Sequence, residues 1–203
     1  MIIMFEKNTV VAHRKAVLSL DLESTHVEDF KDLSNVIANV VVIYDPYTEE
    51  SWKFVREEAL GCPQTHSLEK DLKPLLEKWF LQGRRLGGQN ILGFDFPVLM
   101  SDSSLGLEKV LQSFIDTRAY IDTAQYIKNK LGFRVSLKYM ANSTLRDDKT
   151  MDGADAPQEW LDGNHQKVID YCEHDTLLWS KLYTFGVLHS NILLGGAKIP
   201  VDW

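Results

Sequence analysis

Hydrophobic and polar residues alternate strictly near the start of the chain. In VLSLDLEST, residues 17–25, Leu18, Leu20 and Leu22 alternate with Ser19, Asp21 and Glu23. That is the period of a strand, whose successive side chains point to opposite faces. One face receives three leucines, and the other receives two carboxylates close enough to repel. VIANVVVIY, residues 36–44, is almost continuously apolar and rich in β-branched residues, which predicts a buried strand. DPYTEES supplies turn chemistry, and WKFVR, residues 52–56, alternates as a third strand. The chain therefore opens as a hairpin-connected run of strands.

From Ser67 the period changes. Leu68, Leu72, Leu75, Leu76, Trp79 and Phe80 recur at spacings of three and four, which predicts a helix that Gly83 stops. Residues 86–91 have strand character and lead into a second helix near Phe94 to Phe96, where Pro97 suits a first turn. AYIDTAQYIKNKLG reads as a strand end followed by a helix closed by Gly132, and SLKYMA as a short helix. DDKTMDGADAPQEW reads as a loop. A long helix covers about residues 166–185, and GGAKIPVDW reads as a tail or terminal strand. Strands first, then alternating helices and short strands, indicate a single α/β domain with a mixed sheet and helices on both faces. Its core is expected over about residues 14–188, with 189–203 as a C-terminal tail.

Two acids break this apolar pattern. On the long helix, Val168, Tyr171, Cys172, Asp175, Leu178, Trp179, Leu182 and Phe185 share one face. An ionised carboxylate on that stripe needs a cation, a set of hydrogen-bond donors or a proton. A buried salt bridge to Lys or Arg would serve. Asp95 lies between Phe94 and Phe96 where an apolar segment turns into a helix, and taken alone it reads as a helix cap.

The 203 residues carry a formal net charge of −7, which argues against a broad basic surface for nucleic acid. It leaves room for a local site whose positive charge comes from metal ions. Cys62 and Cys172 have neither finger spacing nor a disulfide framework. The apolar run in MIIMFEKNTV is too short for a signal peptide, and no stretch approaches the ~20 residues of a membrane span. A cytoplasmic protein with no membrane association is the expectation.

The acids also form an ordered series. D-x-E (Asp21, Glu23) lies on an early strand, N-x-x-x-F-D (Asn90 to Asp95) opens a middle helix, and Y-x-x-x-D (Tyr171, Asp175) lies on the last long helix. Together they resemble the three motifs of the DEDD superfamily, the DnaQ-like 3'–5' exonucleases. The resemblance runs from about residue 16 to the end of the long helix. GGQNILGFDFPVL and YIDTAQYI are similar to the proofreading domains of family A DNA polymerases. DGADAPQEW, VIDYCEHDTLLWSKLY and IPVDW look closer to small bacterial exonuclease modules, some of them fused to helicases. Tyr171 fits the tyrosine branch (DEDDy), whereas the histidine branch would need His at the position of Asp170.

The resemblance implies a ribonuclease-H-like fold and a metal-dependent 3'–5' exonuclease. It would release nucleoside 5'-monophosphates from single-stranded DNA or RNA with a free 3' end, with a helicase or polymerase as the candidate partner. Two divalent ions, Mg²⁺ or Mn²⁺, would be held by Asp21, Glu23, Asp95 and Asp175, an oxygen-rich set suited to hard cations. Asp21 would bridge the ions, Glu23 and Asp175 would complete the nucleophile side, and Asp95 would hold the second ion through water. Tyr171 would orient the attacking water. Leu22, Thr25, Asn90 and Phe94 would contact the last nucleotides, with core packing the alternative for at least one of Phe94 and Phe96. Lys128, Lys130, Arg134 and Lys138 are candidate backbone contacts or else a solvated helix face. The competing functions are a catalytically inactive module that binds nucleic acid or a partner, and an endonuclease on the same scaffold.

Overall fold

The computed structural model describes residue 12, residues 16–147 and residues 153–203. The N-terminal run and the middle of the DDKTMDGADAPQEW stretch, residues 148–152, lie outside the described residues. Among the described residues, six strands form one mixed sheet in the order β4-β3-β2-β1-β5-β6. They are β1 (Val17–Ser24), β2 (Ala38–Asp45), β3 (Glu50–Val55), β4 (Thr65–Ser67), β5 (Arg85–Gly88) and β6 (Tyr120–Asp122). β1, β2 and β3 pair antiparallel as successive hairpins, while β4, β5 and β6 join parallel to their neighbours.

The sheet is covered on both faces, which is why β2 could be nearly all apolar. Leu18, Leu20 and Leu22 of β1 join Val41, Ile43 and Phe54 in the larger core cluster. That cluster includes α1 (Leu68–Leu81), α2 (Asp95–Ser101) and α3 (Glu108–Asp116). On the opposite face Val40, Val42 and Val55 pack with Val168, Ile169, Tyr171 and Cys172. These belong to α7 (His165–His189), the 25-residue helix that crosses the back of the sheet. A third cluster joins α7 to α4 (Thr123–Leu131) and α5 (Leu137–Leu145).

Local chemistry explains the helix ends. Ser67 caps α1 by accepting from the Lys70 N–H at 3.3 Å, and Ser136 caps α5 by accepting from the Tyr139 N–H at 3.2 Å. Gly132 closes α4 in the left-handed conformation, φ 83°, where a Cβ is unfavourable.

Parts of the sequence reading need correction or completion. Ala156–Leu161, within the stretch read as a loop, forms helix α6, which buries Ala156 and Trp160. Residues 191–200 form a two-stranded hairpin: the terminal strand read in GGAKIPVDW is β8 (Ala197–Pro200), and β7 (Asn191–Leu194), not foreseen, pairs with it. Ile192 and Val201 are buried in the third cluster, and the Trp203 indole N–H donates to the Tyr183 carbonyl at 3.3 Å. Phe185 is only half-buried, and the buried face of α7 extends instead to Ile169, Thr176, Tyr183 and Gly186.

The two glycines of β5 set how closely the layers approach. A Cβ on Gly87 would lie 2.2 Å from the ring of Trp179, and one on Gly88 would lie 2.5 Å from the carbonyl oxygen of Leu20. Trp179 cannot easily retreat, because its indole N–H donates to Thr123 Oγ1 at 2.9 Å and its ring stacks on Tyr183. Gly87→Ala should therefore cost about 2 kcal/mol by overpacking and lower the melting temperature by several degrees. An unchanged melting curve would show that α7 is not seated as tightly as this contact requires.

Candidate active site

β1 carries Asp21 and Glu23 on the face opposite its leucines, and α7 lies across that face. The crossing places Asp175 beside both. One carboxylate oxygen from each of Asp21, Glu23 and Asp175 lies within 4.8 Å of the others. Asp175 is 2% exposed. The antiparallel pairing of β1 and β2 shifts register between Glu23 and Ser24, where the partner changes from Val40 to Ala38. Such a bulge bends the strand just past the second acid. Lys53 of β3 pairs with Glu173 at 2.7 Å and ties the sheet to α7 one half-turn from Asp175.

The negative charges act on their neighbours. The phenol of Tyr171 is buried and hydrogen-bonded to Asp175. Its pKa is pushed far above the ordinary value of 10, first by burial and then by the charges of Asp175, Glu23 and Asp21. Tyr171 is thus a neutral hydroxyl throughout the working range of a protein. The thiol of Cys172 is raised in the same way, by burial and then by Asp21, Glu23 and Asp175. It lies 3.5 Å from the Asp21 carbonyl oxygen. Three hard oxygen donors in a shared negative field fit a divalent cation.

Asp95 stands apart from this group. It is the first residue of α2, not its cap, and it is 3% exposed. The cap position is Phe94. Burial raises the Asp95 pKa to about 7, the charge of Asp122 adds to the rise, and the N–H groups of Asp95 itself and of Leu22 oppose it. Its carboxylate accepts from the N–H of Leu22, the residue between Asp21 and Glu23, but it is not one of the three clustered acids.

A cavity of about 390 Å³ opens at the three acids. Asp21, Glu23, Tyr171 and Asp175 supply polar lining, and Leu22, Val27, Phe30, Phe94 and Pro157 supply much of the apolar lining. Of the substrate contacts expected from sequence, Leu22, Thr25 and Phe94 line it. Asn90 is not among its lining residues. Its backbone N–H donates to Asp122 at 3.1 Å and its φ is 65°, so it shapes a turn. Phe96 is fully buried in the core. Lys128 and Lys130 lie in the last turn of α4 and, like Arg134 and Lys138, do not line the cavity.

Two features were missed in the sequence. Asp122 accepts from the N–H groups of Asn90, Leu92 and Gln125 at 3.1, 3.0 and 2.9 Å. Its place before Thr123 signalled a helix cap, but nothing local revealed that it also holds the turn leading to Asp95. The cavity wall formed by His26, Val27 and Phe30 was also missed, because it belongs to a connection without periodicity.

No protein-family model matches the chain, and no curated protein matches it either. Among solved structures it is similar to the family B DNA polymerase of the hyperthermophilic archaeon Pyrobaculum calidifontis, with a TM-score of 0.58 and 15% identity. The match covers 84% of this chain and 24% of the polymerase. The likeness is one of fold. The sheet order, the covered faces and this likeness together give a ribonuclease-H-like α/β architecture. Among the described residues, no helix is long and apolar enough to cross a membrane.

The raised pKa of Asp95 gives a signed prediction. A carboxyl that holds its proton more tightly when folded contributes stability below the ordinary value of 3.8, and that contribution is lost as pH rises through about 7. Asp95→Asn keeps an acceptor for the Leu22 N–H and carries no charge. In EDTA it should raise the melting temperature by ~5 °C at pH 8 and much less at pH 4.5. An equal gain at both pH values would mean that Asp95 is not the buried acid titrating between them.

Proposed function

We propose that this protein is a metal-dependent 3'–5' exonuclease of the DEDD type, tyrosine branch, acting on single-stranded nucleic acid. The observation that carries the reading is the convergence of Asp21, Glu23 and Asp175 in a cavity whose lining is otherwise largely apolar. Sequence order, fold likeness and the Tyr171–Asp175 hydrogen bond support it.

In this reading Asp21, Glu23 and Asp175 would hold one divalent ion, Mg²⁺ or Mn²⁺, and Asp95 would help to hold a second. Bound there, such ions supply counter-charge for the phosphodiester and lower the pKa of the attacking water. The rest falls to the chain's own residues. The apolar wall receives the terminal base, so the scissile phosphate lies at the acids. Tyr171 remains a neutral hydroxyl, so it orients water by hydrogen bonding and does not deprotonate it. Water adds to phosphorus, the bond from phosphorus to the 3' oxygen breaks, and that oxygen takes a proton. The products are a nucleoside 5'-monophosphate and a chain shorter by one. Leu22, Thr25 and Phe94 contact the last nucleotides. A cytoplasmic setting, and a polymerase or helicase partner, belong to the same proposal.

The test is a time course on 5'-labelled single strands of DNA and RNA with Mg²⁺, Mn²⁺ or EDTA. A metal-dependent ladder shrinking from the 3' end is expected, and the faster strand identifies the preferred sugar. No cleavage of either strand in either metal would overturn the reading. Asp21→Ala should abolish cleavage while leaving the metal-free fold as stable as before or more so, since a like charge is removed. Tyr171→Phe should slow turnover by roughly 10²-fold without preventing metal binding. Unchanged turnover would confine Tyr171 to packing.

A further inference from the structure

Cys172 is fully buried on α7, and its sulfur meets β1, the strand that carries two of the three clustered acids. Sγ lies 3.5 Å from the Asp21 carbonyl oxygen and 3.9 Å from Asp21 Oδ2. A thiol has one weakly donated hydrogen, so the brace on Asp21 is as much van der Waals contact as hydrogen bond. The sulfur is not itself one of the converging donors, which come from Asp21, Glu23 and Asp175. Its effect on the cluster passes through Asp21.

A second observation fixes the thiol in this position. Asp21 pairs with Val42, and Val42 pairs with Lys53, so the three residues form one row across β1, β2 and β3. Two successive residues of α7 meet that row. Cys172 packs in the cluster that holds Val42 and contacts Asp21, and Glu173 pairs with Lys53 at 2.7 Å. One turn further on, Thr176 Oγ1 donates to the Cys172 carbonyl at 2.7 Å. The helix cannot slide the thiol away from Asp21 without breaking the ion pair. The Asp21 carboxylate, in turn, is repelled by Glu23 and Asp175. A contact on its α7 side opposes rotation away from them.

We propose that Cys172 is a positioning residue of the acid cluster: its thiol braces Asp21 and keeps the carboxylate oriented so that the three acids can share a divalent cation. The inference rests on the metal-binding part of the exonuclease reading. A neighbour that orients a ligating carboxylate is worth roughly 10- to 100-fold in metal affinity. Cysteine suits the place because it packs as a small hydrophobe among the valines and still presents a weak donor.

The experiment titrates the full chain with Mn²⁺ by calorimetry, comparing wild type, Cys172→Ala and Cys172→Ser, with melting curves in EDTA alongside. Cys172→Ala should bind Mn²⁺ roughly tenfold more weakly, while its melting temperature in EDTA falls by only about 2–4 °C. Cys172→Ser keeps a donor and should bind Mn²⁺ more tightly than Cys172→Ala. A side chain that only fills space gives the opposite order, because a buried hydroxyl fits an apolar cluster worse than a methyl group. Wild-type Mn²⁺ affinity in Cys172→Ala, or weaker binding by Cys172→Ser than by Cys172→Ala, would overturn the role of Cys172 while leaving the metal site standing. Absence of Mn²⁺ binding by wild type would instead remove the metal-site reading itself.

Discussion

Three carboxylates with oxygens inside 4.8 Å of one another oppose the fold that assembles them. At an effective dielectric near 20, each pair of charges at such a separation costs a few kcal/mol. Bringing them together therefore requires packing strong enough to hold β1 and α7 in contact. The same strand supplies it. Leu18, Leu20 and Leu22 seal one face of β1 into the larger core, and Val40 and Val42 beside it meet Val168 and Cys172 of α7. The alternation of β1 thus separates two functions on one backbone: leucines on one face anchor the strand, and acids on the other are held against their mutual repulsion.

Environment sorts the remaining acids. Asp122 accepts three backbone N–H groups and fixes the turn from Asn90 to Leu92. Asp95, a few residues beyond that turn, is buried with the charge of Asp122 acting against its own ionisation. The donor-rich carboxylate organises the chain, and the donor-poor one is left poised between protonated and charged forms near neutral pH. A group in that state responds strongly to any cation brought to it. In the proposed enzyme this links occupancy of the site to the protonation of a residue bonded to the Leu22 N–H.

Strong periodicity made much of this architecture legible. The alternation at Leu18–Glu23, the apolar run of β2 and the three-and-four spacing of α1 and α7 each state which face is buried, and the structure buries those faces. Asp175 was legible because an acid on an apolar stripe demands a partner. The short elements were not. β4 is three residues long and α6 is six, too few for a period to emerge. The terminal hairpin was hidden by its weak alternation, with Ala197–Pro200 largely exposed. At the site, the motif position of Asn90 did not reveal that its left-handed backbone serves the turn held by Asp122. Asp95 kept its expected place at the start of a helix but lies outside the cluster of three acids.

The rim of the cavity follows from one irregularity in pairing. Up to Glu23, β1 and β2 pair residue for residue, and the acids stay on the α7 face. Past Glu23 the register skips Asn39, whose carbonyl turns instead to the Arg56 N–H at 3.2 Å. Arg56 is itself pinned by the Ala38 carbonyl, Glu69 and Asp102. The shifted strand end is therefore rigid, and Thr25 closes on Ile37 at a fixed place. Without the bulge the alternation would continue, and the residues after Glu23 would remain in the ladder. With it, the chain leaves the sheet directly beside the acids, and Thr25, Val27 and Phe30 become walls of the cavity. The protein carries a net charge of −7, so a polyanion gains nothing from its surface at large. In the proposed enzyme, affinity for such a substrate would be generated inside this rim, by counter-charge at the acids and apolar contact beside them.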